Sequence, residues 1–176
     1  DDFVTEATEF ETVDELKKSI AENLKDKKAE YAQNAMKNEV VEKLADIAEV
    51  EIPHVMIDNE INAMFRDFEQ NLRYQGLDID SYFNYSGMTK DQLAESMKPD
   101  AEKRVKMGLA IEEVAKLENI SASEDDLNEE YQKMADMYKM EVDKIKEIFK
   151  SADTGLTQSI VSRKTVDFLL DNSKLI

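Results

Sequence analysis

Three features of the sequence predict an all-α fold. No glycine or proline precedes Pro53, and the 176 residues hold only 4 Gly and 2 Pro, little material for tight turns or sheet corners. From Thr12 to Ala48 apolar residues recur at helical spacing: Val13, Leu16, Ile20, Leu24, Tyr31, Ala35, Met36, Val40, Leu44 and Ile47. No stretch alternates as a half-buried strand would. A helix over 12–48 would be roughly 54 Å long, whereas a compact chain of this length has a diameter of about 40 Å. The expected architecture is therefore an elongated multi-helix domain built on one long backbone helix.

The elements follow in order. Thr12 and Glu15 have capping-box spacing and start the first helix. Pro53 ends it, because the residue before a proline is pushed out of helical geometry, and itself suits the start of the next helix. That second helix should run from about Pro53 to Gln75 and stop at Gly76, with a core stripe of Ile57, Ile61, Met64, Phe65, Phe68 and Leu72. Asp78 opens a short helix carrying Tyr82, Phe83 and Tyr85, and Gly87 closes it. Thr89, with Gln92 three residues on, caps a segment that Lys98-Pro99 should break, so that a separate helix begins at Pro99 and reaches about Glu118. This last helix is apolar nearly all round and should be central. Ser123 with Asp126 starts another, striped by Leu127, Tyr131, Met134 and Tyr138. A short helix with Val142, Ile145, Ile148 and Phe149 comes next, and Gly155 should separate it from a final helix containing Leu156, Ile160, Val161, Phe168 and Leu169.

Composition narrows the function. Apolar residues at 41% can build a core, but 36% charged residues and a mean hydropathy of −0.59 imply a high ratio of surface to core. A net charge of −17 disfavours nucleic acid and anionic membranes, since phosphate binding needs Lys and Arg to displace counterions. There is no cysteine, hence neither a disulfide framework nor thiolate chemistry. No apolar run reaches the ~18 residues of a membrane-spanning helix. The opening Asp1-Asp2-Phe3-Val4 is not a signal peptide and reads as a cut in a linker, so the chain is expected to be a fragment.

Catalytic devices are hard to assemble from these residues. His54 is the only histidine and stands at an exposed helix start, where it reads as a surface residue. Asp78-Ile79-Asp80 resembles the opening of a calcium loop, but Phe83 occupies the position where that loop needs glycine, so a helix start is the better reading. Glu112-Glu113, Asp125-Asp126 and Glu129-Glu130 read as solvated helix faces. There is no phosphate-binding glycine loop. No catalytic, metal-binding or cofactor-binding residue is assigned, and no cofactor is expected.

The 9 methionines are more telling, because an unbranched thioether adapts to many shapes and recurs at promiscuous binding surfaces. Met64, Met107 and Met134 fall on apolar stripes and are expected in the core, whereas Met88, Met97, Met137 and Met140 lie at helix ends or off the stripes.

Several runs resemble the C-terminal domain of bacterial trigger factors: Val50-Glu51-Ile52-Pro53 with Met56-Ile57 and Glu60, Asp67-Phe68-Glu69-Gln70, Gly76-Leu77, and Tyr85-Ser86-Gly87-Met88-Thr89. Pro99-Asp100-Ala101-Glu102-Lys103-Arg104-Val105-Lys106 and Lys164-Thr165-Val166-Asp167-Phe168-Leu169-Leu170 extend the resemblance to nearly the whole chain, in order. Phe10-Glu11-Thr12-Val13-Asp14-Glu15-Leu16 resembles the segment that leaves the isomerase domain in that family. The resemblance implies a linker remnant over 1–11 and a helical substrate-binding domain over 12–176. Its two arms would be about Pro53 to Lys98 and Asn119 to Asn172, in a fold related to periplasmic chaperones of the SurA type. It further implies an ATP-independent cytoplasmic chaperone that cradles unfolded or nascent polypeptides. Neither a ribosome-docking signature of the type G-F-R-x-G-x-x-P nor a β-rich prolyl isomerase domain occurs in this sequence. Ribosome contact would thus run only through an N-terminal domain outside this chain, this chain would not itself be an enzyme, and a weak homodimer is allowed. Direct partners would be neither nucleic acid nor membrane. Candidate polypeptide contacts are Met56, Met64, Phe68, Tyr82, Tyr85, Met88, Met97, Met137, Tyr138 and Met140. The alternative from another class is a helical scaffold for one fixed protein partner, against which Lys27 and Lys28 interrupt the stripe a sustained coiled coil would need.

Overall fold

The computed structural model describes residues 4–5, 8–149 and 153–174. The linker expected over 1–11 thus lies partly outside the described residues. Among the described residues there is no strand, and there are seven helices of eight residues or more: α1 (Val13–Ile47), α2 (His54–Tyr74), α3 (Ile79–Ser86), α4 (Lys90–Leu117), α5 (Glu124–Tyr138), α6 (Val142–Phe149) and α7 (Asp153–Asp171). The chain divides into two compact units, Asp1–Val40 and Val41–Ile176.

In the first unit the Thr12 hydroxyl accepts from the Glu15 amide at 3.2 Å, as its capping position requires, and the Glu15 carboxylate reaches back to the Glu11 amide at 3.1 Å. Within α1 every residue from 21 to 35 is exposed, Leu24 and Tyr31 of the apolar stripe included.

In the second unit the last turns of α1 bury Val41 and Ala45, while Ile47 is 79% exposed. The buried stripe is therefore turned from the expected Val40–Leu44–Ile47 line. Lys103 on α4 donates to Glu42 at 2.7 Å on this part of α1.

Pro53 precedes α2 in an extended conformation, as its fixed φ favours, and α2 ends in a Schellman motif. Gly76 adopts φ +76°, its amide donates to Arg73 O, and the Leu77 amide returns to Leu72 O at 2.9 Å. Asp78 caps α3 by accepting from the Ser81 amide at 2.7 Å, and Gly87 closes it with φ +68°. Thr89–Gln92 and Ser123–Asp126 form full capping boxes on α4 and α5.

Two expected breaks do not occur. Pro99 lies inside α4, which continues unbroken from Lys90 to Leu117. A proline here deprives the Glu95 carbonyl of its helical donor, but Glu95 and Pro99 are both exposed, so that carbonyl is on a side open to water. Two residues on, Ala101 is fully buried, and α4 packs against both α2 and α7. Tertiary packing on the inner face therefore outweighs the local defect on the outer one. Gly155 likewise lies within α7 and not before it. It falls in the first turn and not in the helix interior, where the full entropic cost of glycine applies.

The central position expected for the Pro99–Glu118 segment is observed, with α2 and α7 as its neighbours. A second apolar cluster joins α5, α6 and α7: Tyr131, Ala135 and Ile145 are buried, and Leu127, Met134, Val142, Phe149 and Leu156 pack against them. On α7 Ile160 is buried, as is Thr165, whose hydroxyl donates to Val161 O at 2.7 Å and so leaves no unsatisfied polar group. Phe65 and Phe68 are half-buried, not core as expected, and their ring contacts are to Phe83 and Tyr82 of the short helix α3. Met64, Met107 and Met134 are also half-buried.

Candidate functional site

Eight of the ten candidate contact residues fall into three places, all in the second unit. The first is an aromatic cluster between α2 and α3. The rings of Phe68 and Tyr82 meet edge to face with centroids 4.9 Å apart, Phe83 lies 5.9 Å from Tyr82 and 6.3 Å from Phe65, and the Lys90 ammonium stands 5.1 Å over the Phe65 ring. The Tyr82 hydroxyl is 3.9 Å from the Met88 sulfur. Phe68, Tyr82 and Met88 are thus brought together, with part of each surface still open to solvent. Tyr85, on the same short helix, is 89% exposed. Met64 and Met97 are half-buried on α2 and α4.

The second place is the end of α5. Here the chain turns through Lys139 in the left-handed conformation (φ 52°, ψ 46°), and the Met140 amide donates back to Ala135 O at 2.9 Å. This closure presents Met137 at 76% exposure, Tyr138 at 58% and Met140 at 39%. A depression of about 520 Å³ beside the turn is lined by Ala135, Asp136, Lys139, Met140, Glu141 and Lys144. Ile148 on α6 is exposed as well.

The third is a groove of about 600 Å³ between α2, α4 and α7, where Met56 lines one wall beside Val105, Leu109 and Ile111. Gly108 of α4 and Gly155 of α7 border it, and no heavy atom lies within 4 Å of where a Cβ would sit on either. Arg104 and Glu60 pair across it at 3.5 Å. The groove's α4 and α7 residues were not among the sequence candidates. The available signal was a glycine inside each of two helices, since helix-interior glycine is unfavourable unless packing or access requires it.

Ion pairs set the relation of α5 to α7. Lys164 donates to Asp126 at 2.7 Å, and Glu130 receives both Arg163 at 2.6 Å and Lys133 at 2.8 Å. The Lys164 hydrogen bond, followed by those from Ser123, holds the Asp126 carboxyl well below the usual carboxylate range, and Lys133 and then Arg163 lower that of Glu130. His54 is exposed at the first position of α2, and Asp78 serves as the cap of α3. Among the described residues no group of three or more His, Cys, Asp or Glu side chains is arranged to hold a metal ion, and no helix is long and apolar enough to cross a membrane.

These features define an all-helical domain whose singular surfaces are apolar patches at helix ends and in a shallow interhelical groove. Residues 12–171 match the family model of the bacterial trigger factor protein C-terminus, and the chain belongs to that family. It is 46% identical over 167 residues to the trigger factor of Geobacillus sp. (strain WCH70) and 47% identical over 167 residues to that of Geobacillus kaustophilus. Each alignment covers 95% of this chain and 39% of the relative, so the chain spans about two fifths of the length of these curated relatives. Among solved structures, a trigger factor domain structure from Thermotoga maritima superposes with a TM-score of 0.62 at 24% identity, covering 94% of this chain and 98% of that one. A second, from work on promiscuous substrate recognition by the trigger factor chaperone, gives a TM-score of 0.58 at 24% identity, covering 96% of this chain and 41% of the other. Both likenesses concern the fold. The matched region is the C-terminus of the family and not its isomerase domain.

Proposed function

We propose that this domain is an ATP-independent chaperone module that holds unfolded or nascent polypeptides. The observation that carries this reading is the pair of exposed apolar helix ends, Tyr85 on α3 and Met137, Tyr138 and Met140 on α5, which stand outside the buried clusters of their own helices. Burying one such side chain contributes roughly 1.5–3 kcal/mol before ordering costs, so each contact is weak and quickly released. Several along one client add avidity without a fixed interface. The half-buried candidates Met56, Met64, Phe68, Tyr82, Met88 and Met97 extend these surfaces, and an overall charge of −17 keeps the module soluble despite them.

Within this reading the chain is the substrate-binding part of a longer cytoplasmic protein, with residues 1–11 as linker and 12–176 as the helical domain. Ribosome contact belongs to a domain outside this chain, and self-association is at most a weak homodimer. The test measures aggregation of several unrelated unfolded proteins with and without the domain, in the absence of nucleotide. Suppression across unrelated clients, with their native forms ignored, is expected. Tight binding to one native protein, with no effect on unfolded clients, would establish the fixed-partner scaffold instead.

A further inference from the structure

From the sorting of the methionines by exposure we infer that the α5–α6 turn is an oxidative modification site, at which peroxide converts Met137 and Met140 to sulfoxides and so loosens the hold on clients. This rests on the chaperone reading above. All nine methionines lie in described segments, and seven of them (Met36, Met56, Met64, Met88, Met97, Met107 and Met134) are half-buried. The two exposed ones, Met137 at 76% and Met140 at 39%, are both at one helix end. Thioether oxidation follows access, so this end is where an oxidant meets methionine sulfur first.

The local backbone explains why both residues are displayed. Lys139 turns the chain left-handed, the Met140 amide is tied to Ala135 O, and the Met140 side chain lines the depression beside Ala135 and Lys139. Met137 lies in the last turn of α5, three residues before Met140, with exposed Tyr138 between them. The reaction needs only hydrogen peroxide as co-reactant. A sulfur lone pair attacks one peroxide oxygen, the O–O bond breaks, and the departing hydroxide takes the proton of the transferred oxygen. Sulfur is oxidised by two electrons and peroxide is reduced to water. The product is a polar, chiral sulfoxide in place of an adaptable apolar tip, and it is reversible by methionine sulfoxide reductases. The buried cluster of Tyr131, Ala135 and Ile145 is not itself altered.

The experiment treats the chain with hydrogen peroxide, follows oxygen uptake at each methionine by peptide mass mapping, and measures binding of a reduced, carboxymethylated unfolded protein. Met137 should react first, at least about threefold faster than any of the seven half-buried methionines, and Met140 second. Once both are converted, the dissociation constant should rise about tenfold with unchanged helix content. Treatment with both epimer-specific reductases should restore it. In Met137→Leu/Met140→Leu, whatever its own starting affinity, peroxide should change the dissociation constant by less than about twofold, because the responsible sulfurs are gone. Uniform reactivity of the nine methionines, unchanged binding at full conversion, or an equal loss in the double variant would each overturn the inference. No binding before peroxide is added would sink the chaperone reading and this inference with it, whereas normal binding that peroxide leaves untouched would sink this inference alone.

Discussion

Lys164 on α7 donates to the carboxylate of Asp126 on α5 at 2.7 Å, and the same carboxylate oxygen accepts from the amide and hydroxyl of Ser123 at 2.8 Å. One side chain thus starts α5 and ties it to α7. A capping residue is a local device, but here it is also the anchor of a contact 38 residues away in sequence. Replacing Asp126 by Asn keeps the size and weakens both roles, so the variant should melt at a lower temperature than the parent. An equal melting temperature at neutral pH would show that the tie is screened away at this surface.

Acid titration gives an independent reading of the same contact. The Asp126 pKa is depressed in the folded chain below its ordinary value of 3.8. The stabilisation is therefore fully present above about that pH and is lost progressively as pH falls through it toward the lower folded-state value. The melting difference between the parent and Asp126→Asn should be constant from about pH 7 to pH 5 and shrink below about pH 4. A gap that stayed constant down to the acid limit would mean that the carboxylate charge is not what matters.

The C-terminus of α5 carries a correctable defect. Lys139 holds φ +52°, a conformation that costs an L residue roughly 1 kcal/mol and costs glycine little. Lys139→Gly should therefore raise the unfolding free energy by about 0.5–1 kcal/mol in a denaturant titration. The mirror test is Gly87→Ala, at φ +68°, which should lower it by about 1 kcal/mol although no atom crowds the new methyl group.

Half-burial sets the scale for the aromatic cluster. Full burial would make truncation of Phe68 cost about 3–5 kcal/mol. With part of the ring open to solvent, Phe68→Ala should cost about 2 kcal/mol, and a double-mutant cycle with Tyr82→Ala should return a coupling of about 0.5–1.5 kcal/mol for the edge-to-face pair. A coupling near zero would show that the two rings are neighbours without being partners.

Continuity of α4 through Pro99 can be read by hydrogen exchange. Amides on both sides of Pro99 should open in one cooperative step if Lys90–Leu117 is a single helix, and in two if the proline is a joint. Pro99→Ala supplies the missing donor to the Glu95 carbonyl, and should stabilise the chain by up to about 3 kcal/mol.

The helices and most of their ends were legible in the sequence because the signals are local. Thr12, Asp78, Thr89 and Ser123 cap helices through atoms within three residues, and Gly76 and Gly87 end them by a conformation only glycine adopts cheaply. The family was legible for a similar reason, since ordered motifs along most of the chain need no three-dimensional information.

Only the tertiary structure decided the rest. Pro99 and Gly155 are breakers by propensity, yet α4 packs on two helices and Gly155 falls in a first turn, and such context outweighs a cost of a few kcal/mol or less. Asn119 and Lys139 end helices left-handed without glycine, their amides donating to Lys116 O and Ala135 O of the helices they close. Exposure was the least legible property. Met88, Met97, Met137 and Met140 look alike in the sequence, but the first two are half-buried and the last two are displayed. Helical spacing tells which residues share a face. Whether another element covers that face depends on contacts far away in the chain.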